Sequence, residues 1–290
     1  MVPELPTSSP AQRTRMVFGL IAAIYAVYLF LVLADSLCEY LTDTSPTAEP
    51  AWQFIYYFTN QSNTLILIWL VIFAVANLGT GRLAARAARL VTRGIAVGLT
   101  LYMLVVFIVV SCILNPFYTG AFEPVPTGAG LFVHVASPIL TLTLYLLYPW
   151  AGRATWRTVL AWMGYLFFYV ALANIVGATT FWRDGTRAYP YDFLNPHTYP
   201  NVGVYALAIL GLALACFALG CGLLRLKDRF DASFRTDAVA PKQVRYSGHS
   251  DAKIAMGEGT DGRRFDAVRP GSNEPALQLV HRRGLEPRTR

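Results

Sequence analysis

Several side chains capable of chemistry stand where a lipid-facing chain has little reason to place them. Phe58-Thr59-Asn60-Gln61-Ser62-Asn63-Thr64 opens one long apolar run, and His134 opens another, sharing a helical face with Ser137 and Thr141. Asn174 lies near the end of a third run, and Trp182-Arg-Asp-Gly-Thr-Arg-Ala-Tyr-Pro-Tyr191 follows it. A threonine hydroxyl becomes a nucleophile when a base takes its proton, and a neutral imidazole is such a base at about 2.6–3.2 Å. Thr59 and His134 are the candidate pair. Asn60 and Asn63 would hold a developing oxyanion, and Ser137, Asn174, Trp182 and Tyr191 would complete the substrate-binding wall. The bond attacked would be an ester of an acyl chain lying in the membrane.

Each residue also has a plainer reading. Thr59 caps a helix, the amides bond neighbouring helices, and His134 fills a structural niche. Tyr189, Pro190, Tyr191 and Phe193 form an interfacial belt and turn. Arg183 and Arg187 pair with Asp184 and Asp192, or meet lipid headgroups.

The elements that would position these groups follow from composition. The chain has 290 residues, 55% hydrophobic and 14% charged, against about 25% charged in soluble domains. Charge is uneven: residues 1–230 hold 13 Lys/Arg and 9 Asp/Glu, and 231–290 hold 11 and 8. A single soluble domain is excluded, and with a net +4 and +3 in the two parts no one basic patch suggests nucleic acid.

Six runs without Asp, Glu, Lys or Arg, near 16–34, 60–79, 94–114, 129–149, 158–178 and 202–224, are each long enough to cross a bilayer. Spanning backbone must satisfy its own hydrogen bonds, so the fold class is all-α: a polytopic membrane protein with six transmembrane helices. Arg13 and Arg15, Arg82 to Arg93, Arg153 and Arg157, and Arg225 to Arg229 all fall on one side of a six-span layout. That predicts a multi-pass cell-membrane protein with both termini cytoplasmic. The first run reads as an uncleaved anchor. The domains are then 1–15, a cytoplasmic segment; 16–226, the helical body; and 227–290, a disordered cytoplasmic tail too poor in large apolar residues to order itself.

The four cysteines have no metal spacing, and no cofactor or metal is expected. Cys38 and Cys112 fall near the outer ends of their spans, which leaves a disulfide open. Gly211 with Ala215, and Ala218 with Gly222, are the small pairs expected to let helices approach.

Three stretches resemble one membrane family. They are Tyr56-Tyr-Phe-Thr-Asn-Gln-Ser-Asn-Thr-Leu65, His134-Val-Ala-Ser-Pro138, and the Trp182…Tyr189-Pro-Tyr-x-Phe-Leu194 loop. The family includes the eukaryotic androgen-induced proteins and the androgen-dependent regulator of tissue factor pathway inhibitor, and its bacterial "Pr-six-Pr" branch looks nearest. The resemblance covers about residues 15–225 and implies the six-helix layout. It also implies hydrolysis of fatty-acid esters of hydroxy fatty acids, with Thr59 as nucleophile and His134 as its partner. Membrane lipids and an acyl-ester substrate are the expected partners. A lipid-binding or transport protein using the same outer cavity, and a non-catalytic scaffold, remain the alternatives. Against coupled transport, no span carries Asp, Glu, Lys or Arg.

Overall fold

The structure is a computed structural model that describes residues 9–43, 50–114, 128–182 and 185–239. Six helices in it are long and apolar enough to cross a membrane: α1 (Pro10–Thr42), α3 (Phe58–Leu78), α5 (Arg93–Leu114), α6 (Ala129–Leu147), α7 (Trp156–Thr179) and α8 (Val202–Val239). Two short helices join them, α2 (Trp52–Tyr56) and α4 (Gly81–Ala88). The protein is an all-α, multi-pass integral membrane protein.

Local chemistry sets the boundaries. Ser9 caps α1, accepting from the Gln12 N–H at 3.3 Å, and Pro10 takes the first turn, where its missing N–H costs nothing. Thr92 caps α5 through the Ile95 N–H, and Thr155 with Thr158 forms a capping box on α7. Gly81, at φ 73°, turns the chain from α3 into α4 through a left-handed conformation that only glycine adopts cheaply.

α5 is the central helix. Within its apolar window 56% of residues are buried, against 22–33% in the other five spans. It packs on α3, α6, α7 and α8, while α1 lies along α3. Trp162 lies directly over Gly98, where a Cβ would stand 2.0 Å from the indole ring. Gly177 under Tyr189 and Gly220 against Val159 are nearly as tight, each at 2.4 Å. The expected small pairs do not make these approaches: Gly211 and Gly222 face open space. On α8 the close contact falls instead at Gly220, two residues from Gly222.

Two expectations need correction. The helical body does not stop near residue 226, because α8 continues to Val239. Residues 227–239, assigned to a disordered tail, are helical and held by charge: Arg93 pairs with Asp228 at 2.7 Å and Lys227 with Asp231 at 2.5 Å. The rest of that tail, and Arg183 with Asp184, lie outside the described residues. Cys38 and Cys112 are free thiols, as are Cys216 and Cys221.

Candidate functional site

Tyr57, the residue before α3, is extended and offers no side-chain cap. The first N–H groups of α3 therefore need partners from elsewhere. Tyr169 of α7 supplies one, its hydroxyl accepting from the Phe58 N–H at 3.2 Å. Tyr191, in the α7–α8 loop, lines the same wall as Thr59 and Tyr169. Burial pushes the Tyr191 phenol above its ordinary range, and the bonds from Thr59 and Tyr169 pull the other way. Thr59 lies inside the helix and is not its cap; a tyrosine from another helix, Tyr169, takes the first N–H.

This polar knot ends an otherwise apolar chamber of about 70 Å³. Val105, Val106 and Val109 of α5, Met163 and Phe167 of α7, Ile209 and Cys216 of α8, and Tyr191 and Phe193 of the loop line it together with Thr59. Phe167 is half exposed, so the wall opens sideways between helices. The enclosed part is about half the roughly 150 Å³ that takes up a benzene ring.

One turn farther along α3 a second polar group is fully enclosed. Asn63 donates to the Thr59 carbonyl at 2.9 Å and to the Val133 carbonyl at 3.3 Å, and accepts from the Ser137 hydroxyl at 2.8 Å. Pro138 has no N–H to give the turn before it, and Asn63 serves a carbonyl in that turn. Tyr25 of α1 closes the network, bonding the Ser137 carbonyl at 3.0 Å, its hydroxyl at 2.5 Å and the Thr141 hydroxyl at 3.1 Å.

His134 belongs to a π-helical turn, Phe132–Ala136, within α6. Its Nδ1 lies 2.8 Å from the Gly130 carbonyl. A carbonyl only accepts, so Nδ1 carries the proton and Nε2 keeps its lone pair. Among the described residues no hydrogen bond joins His134 to Thr59, and His134 is absent from the chamber wall.

The remaining candidates are dispersed. Asn60 is partly exposed on α3. Asn174 bonds the Val170 carbonyl at 2.8 Å and the Tyr205 hydroxyl at 2.6 Å, tying α7 to α8. Trp182 stacks on Trp52 with ring centres 5.6 Å apart. Arg187 donates to the Ala178 carbonyl and lies over the Phe181 ring. The structure thus gathers Thr59 with Tyr191, and Asn63 with Ser137, in two adjoining groups. Tyr169 and Tyr25 were missed because a tyrosine within an apolar run reads as packing; only its partner, set by the fold, reveals the hydroxyl's role. Among the described residues no three His, Cys, Asp or Glu side chains cluster as metal ligands would.

The chain matches no protein-family profile, no curated protein and no solved structure.

Proposed function

We propose that this membrane protein binds an acyl lipid, with the chain entering the chamber from the side and its carbonyl end resting at Thr59. The observation that carries this reading is the chamber itself: apolar along its length, with the hydroxyl-bearing side chains of Thr59, Tyr169 and Tyr191 on its wall. A carboxyl or ester carbonyl is the group those donors suit. The distribution of basic loops supports a cell-membrane location with both termini cytoplasmic and the chamber toward the outer leaflet. The test is a fatty acid carrying a photoreactive diazirine. It should crosslink to chamber peptides in the wild type and lose most of that labelling in Val109→Trp. Equal labelling of the two would overturn the reading.

Ester hydrolysis is the second reading, favoured by the Thr59 hydroxyl on the chamber wall and by the free Nε2 of His134. Thr59 Oγ1 would bond to the ester carbonyl carbon as the carbon–oxygen bond to the alcohol breaks. The threonine proton would pass through His134 to the departing alcohol, and water would release the acid. His134 must swing into reach for this. Resemblance to the androgen-induced family supports the same two residues. A fluorophosphonate should label the wild type and leave Thr59→Ala unlabelled; an unlabelled wild type would remove hydrolysis and leave binding standing.

A further inference from the structure

The short helix α4 joins the ends of two membrane spans, so it lies at the level where the bundle meets headgroups. At 100° per residue, Arg82, Arg86 and Arg89, the last being the αR residue that caps the helix C-terminus, fall within roughly 60° of one another around its axis; Leu83 falls beside them, and Leu90 follows in the turn just past the helix. Ala84 and Ala87 lie on the opposite side and are buried against the body. The leucines are not: Leu83 is 68% exposed and Leu90 47%. The three arginines are exposed as well.

The charge at this end is one-sided. Residues 79–93 contain no acid. The nearby acids on α8 are engaged, Asp228 by Arg93 and Asp231 by Lys227. Among the described residues Arg82, Arg86 and Arg89 form no ion pair. The parallel bridge between Thr92 and Ala151 holds the α6–α7 loop alongside, with Arg153 exposed on it.

We propose that α4 is an interfacial helix that binds anionic phospholipid: Arg82, Arg86 and Arg89 grip the phosphodiester headgroups while Leu83 and Leu90 sink into the acyl boundary. Guanidinium groups match phosphate oxygens in a planar fork. The leucines beside the arginines suit a leaflet, whose acyl boundary covers them, over a nucleic acid, which would leave them wet.

The test uses the full chain in nanodiscs of equimolar phosphatidylglycerol and phosphatidylcholine, with the lipids retained after extraction read by native mass spectrometry. Phosphatidylglycerol should be enriched. The enrichment should fall about fivefold for each arginine replaced in an Arg82→Gln, Arg86→Gln, Arg89→Gln series. It should also fall as salt rises and in Leu83→Ser/Leu90→Ser. Arg187→Gln, at the other end of the bundle, should leave it unchanged. Equal retention of the two lipids by the wild type would overturn the proposal without needing any variant to fold. Enrichment that survives the triple substitution or high salt would overturn it too, as would a co-purifying acidic protein or nucleic acid without phosphatidylglycerol.

Discussion

Asn63 on α3 and Ser137 on α6 are joined side chain to side chain at 2.8 Å, both with no solvent exposure. The bond is the centre of a network that reaches Tyr25 on α1, so three helices share one set of polar groups. In lipid no water can replace a lost partner.

Asn63→Ala removes the acceptor of the Ser137 hydroxyl, which keeps only Tyr25, and the side-chain donor to the Val133 carbonyl, and should cost about 0.6–2 kcal/mol, the range for hydrogen bonds between membrane helices. Ser137→Ala should cost less, because Tyr25 still serves the Ser137 carbonyl. Thermal unfolding in detergent, followed by tryptophan fluorescence, measures both. An Asn63→Ala protein no weaker than Ser137→Ala would mean that the amide does not organise the network.

Gly98 and Gly211 make an opposed pair. A methyl group on Gly98 meets the Trp162 ring at 2.0 Å, and the ring is fixed by its bond to the Gly94 carbonyl at 2.9 Å. Overpacking of this kind costs about 1–3 kcal/mol. Nothing lies within 4 Å of a methyl on Gly211, and alanine favours a helix over glycine by up to about 1 kcal/mol. Gly98→Ala should therefore lower the unfolding temperature, while Gly211→Ala should leave it unchanged or raise it. Equal effects would show that α5 and α7 do not meet at Gly98.

Much of this architecture is legible in the chain itself. Each of the six apolar runs falls within its observed helix apart from a residue or two at some ends, because length, hydropathy and absence of charge are all that a span requires. The candidate site was legible by type but not by partner. Thr59 stood out as a hydroxyl at the mouth of a span, yet what faces it, Tyr191, arrives from a loop more than a hundred residues away. His134 stood out as the one histidine within a span, and its ring turns back to its own helix at Gly130. The extension of α8 was hidden for a related reason. Residues 227–231 look like soluble tail until Arg93, far away in sequence, supplies the countercharge for Asp228.

Tyr56 offers a test by pH. Its hydroxyl donates to the Ala188 carbonyl at 2.9 Å and the Ala173 carbonyl at 3.3 Å, and burial followed by the neighbouring Tyr189 raises its pKa above the ordinary 10.0. The folded state thus holds the phenol neutral while the unfolded chain ionises it near pH 10. The stability tied to this group is complete below that pH and is lost as pH rises through the raised folded value. The wild-type unfolding temperature should fall above pH 10, and more gently in Tyr56→Phe, which starts lower for want of the two bonds. Parallel curves for the two proteins would rule Tyr56 out as a source of the alkaline loss.

The clasp at the end of α8 gives the sharpest contrast between substitutions. Lys227 is 1% exposed and donates to the Leu146 carbonyl at 2.9 Å and to Asp231 at 2.5 Å, whereas the Asp231 side chain is 37% exposed. Removing the acid leaves a buried ammonium with one carbonyl for company, and uncompensated buried charge costs about 3–5 kcal/mol. Removing the base with a methionine of similar length leaves an aspartate that water can reach. Asp231→Ala should therefore destabilise the protein more than Lys227→Met. Deletion of residues 240–290 should spare the unfolding temperature, and deletion from Lys227 onward should lower it. Thermal unfolding of the four proteins in nanodiscs decides the matter. If Lys227→Met proves worse than Asp231→Ala, the lysine holds α8 to α6 through the Leu146 carbonyl, and the carboxylate is incidental.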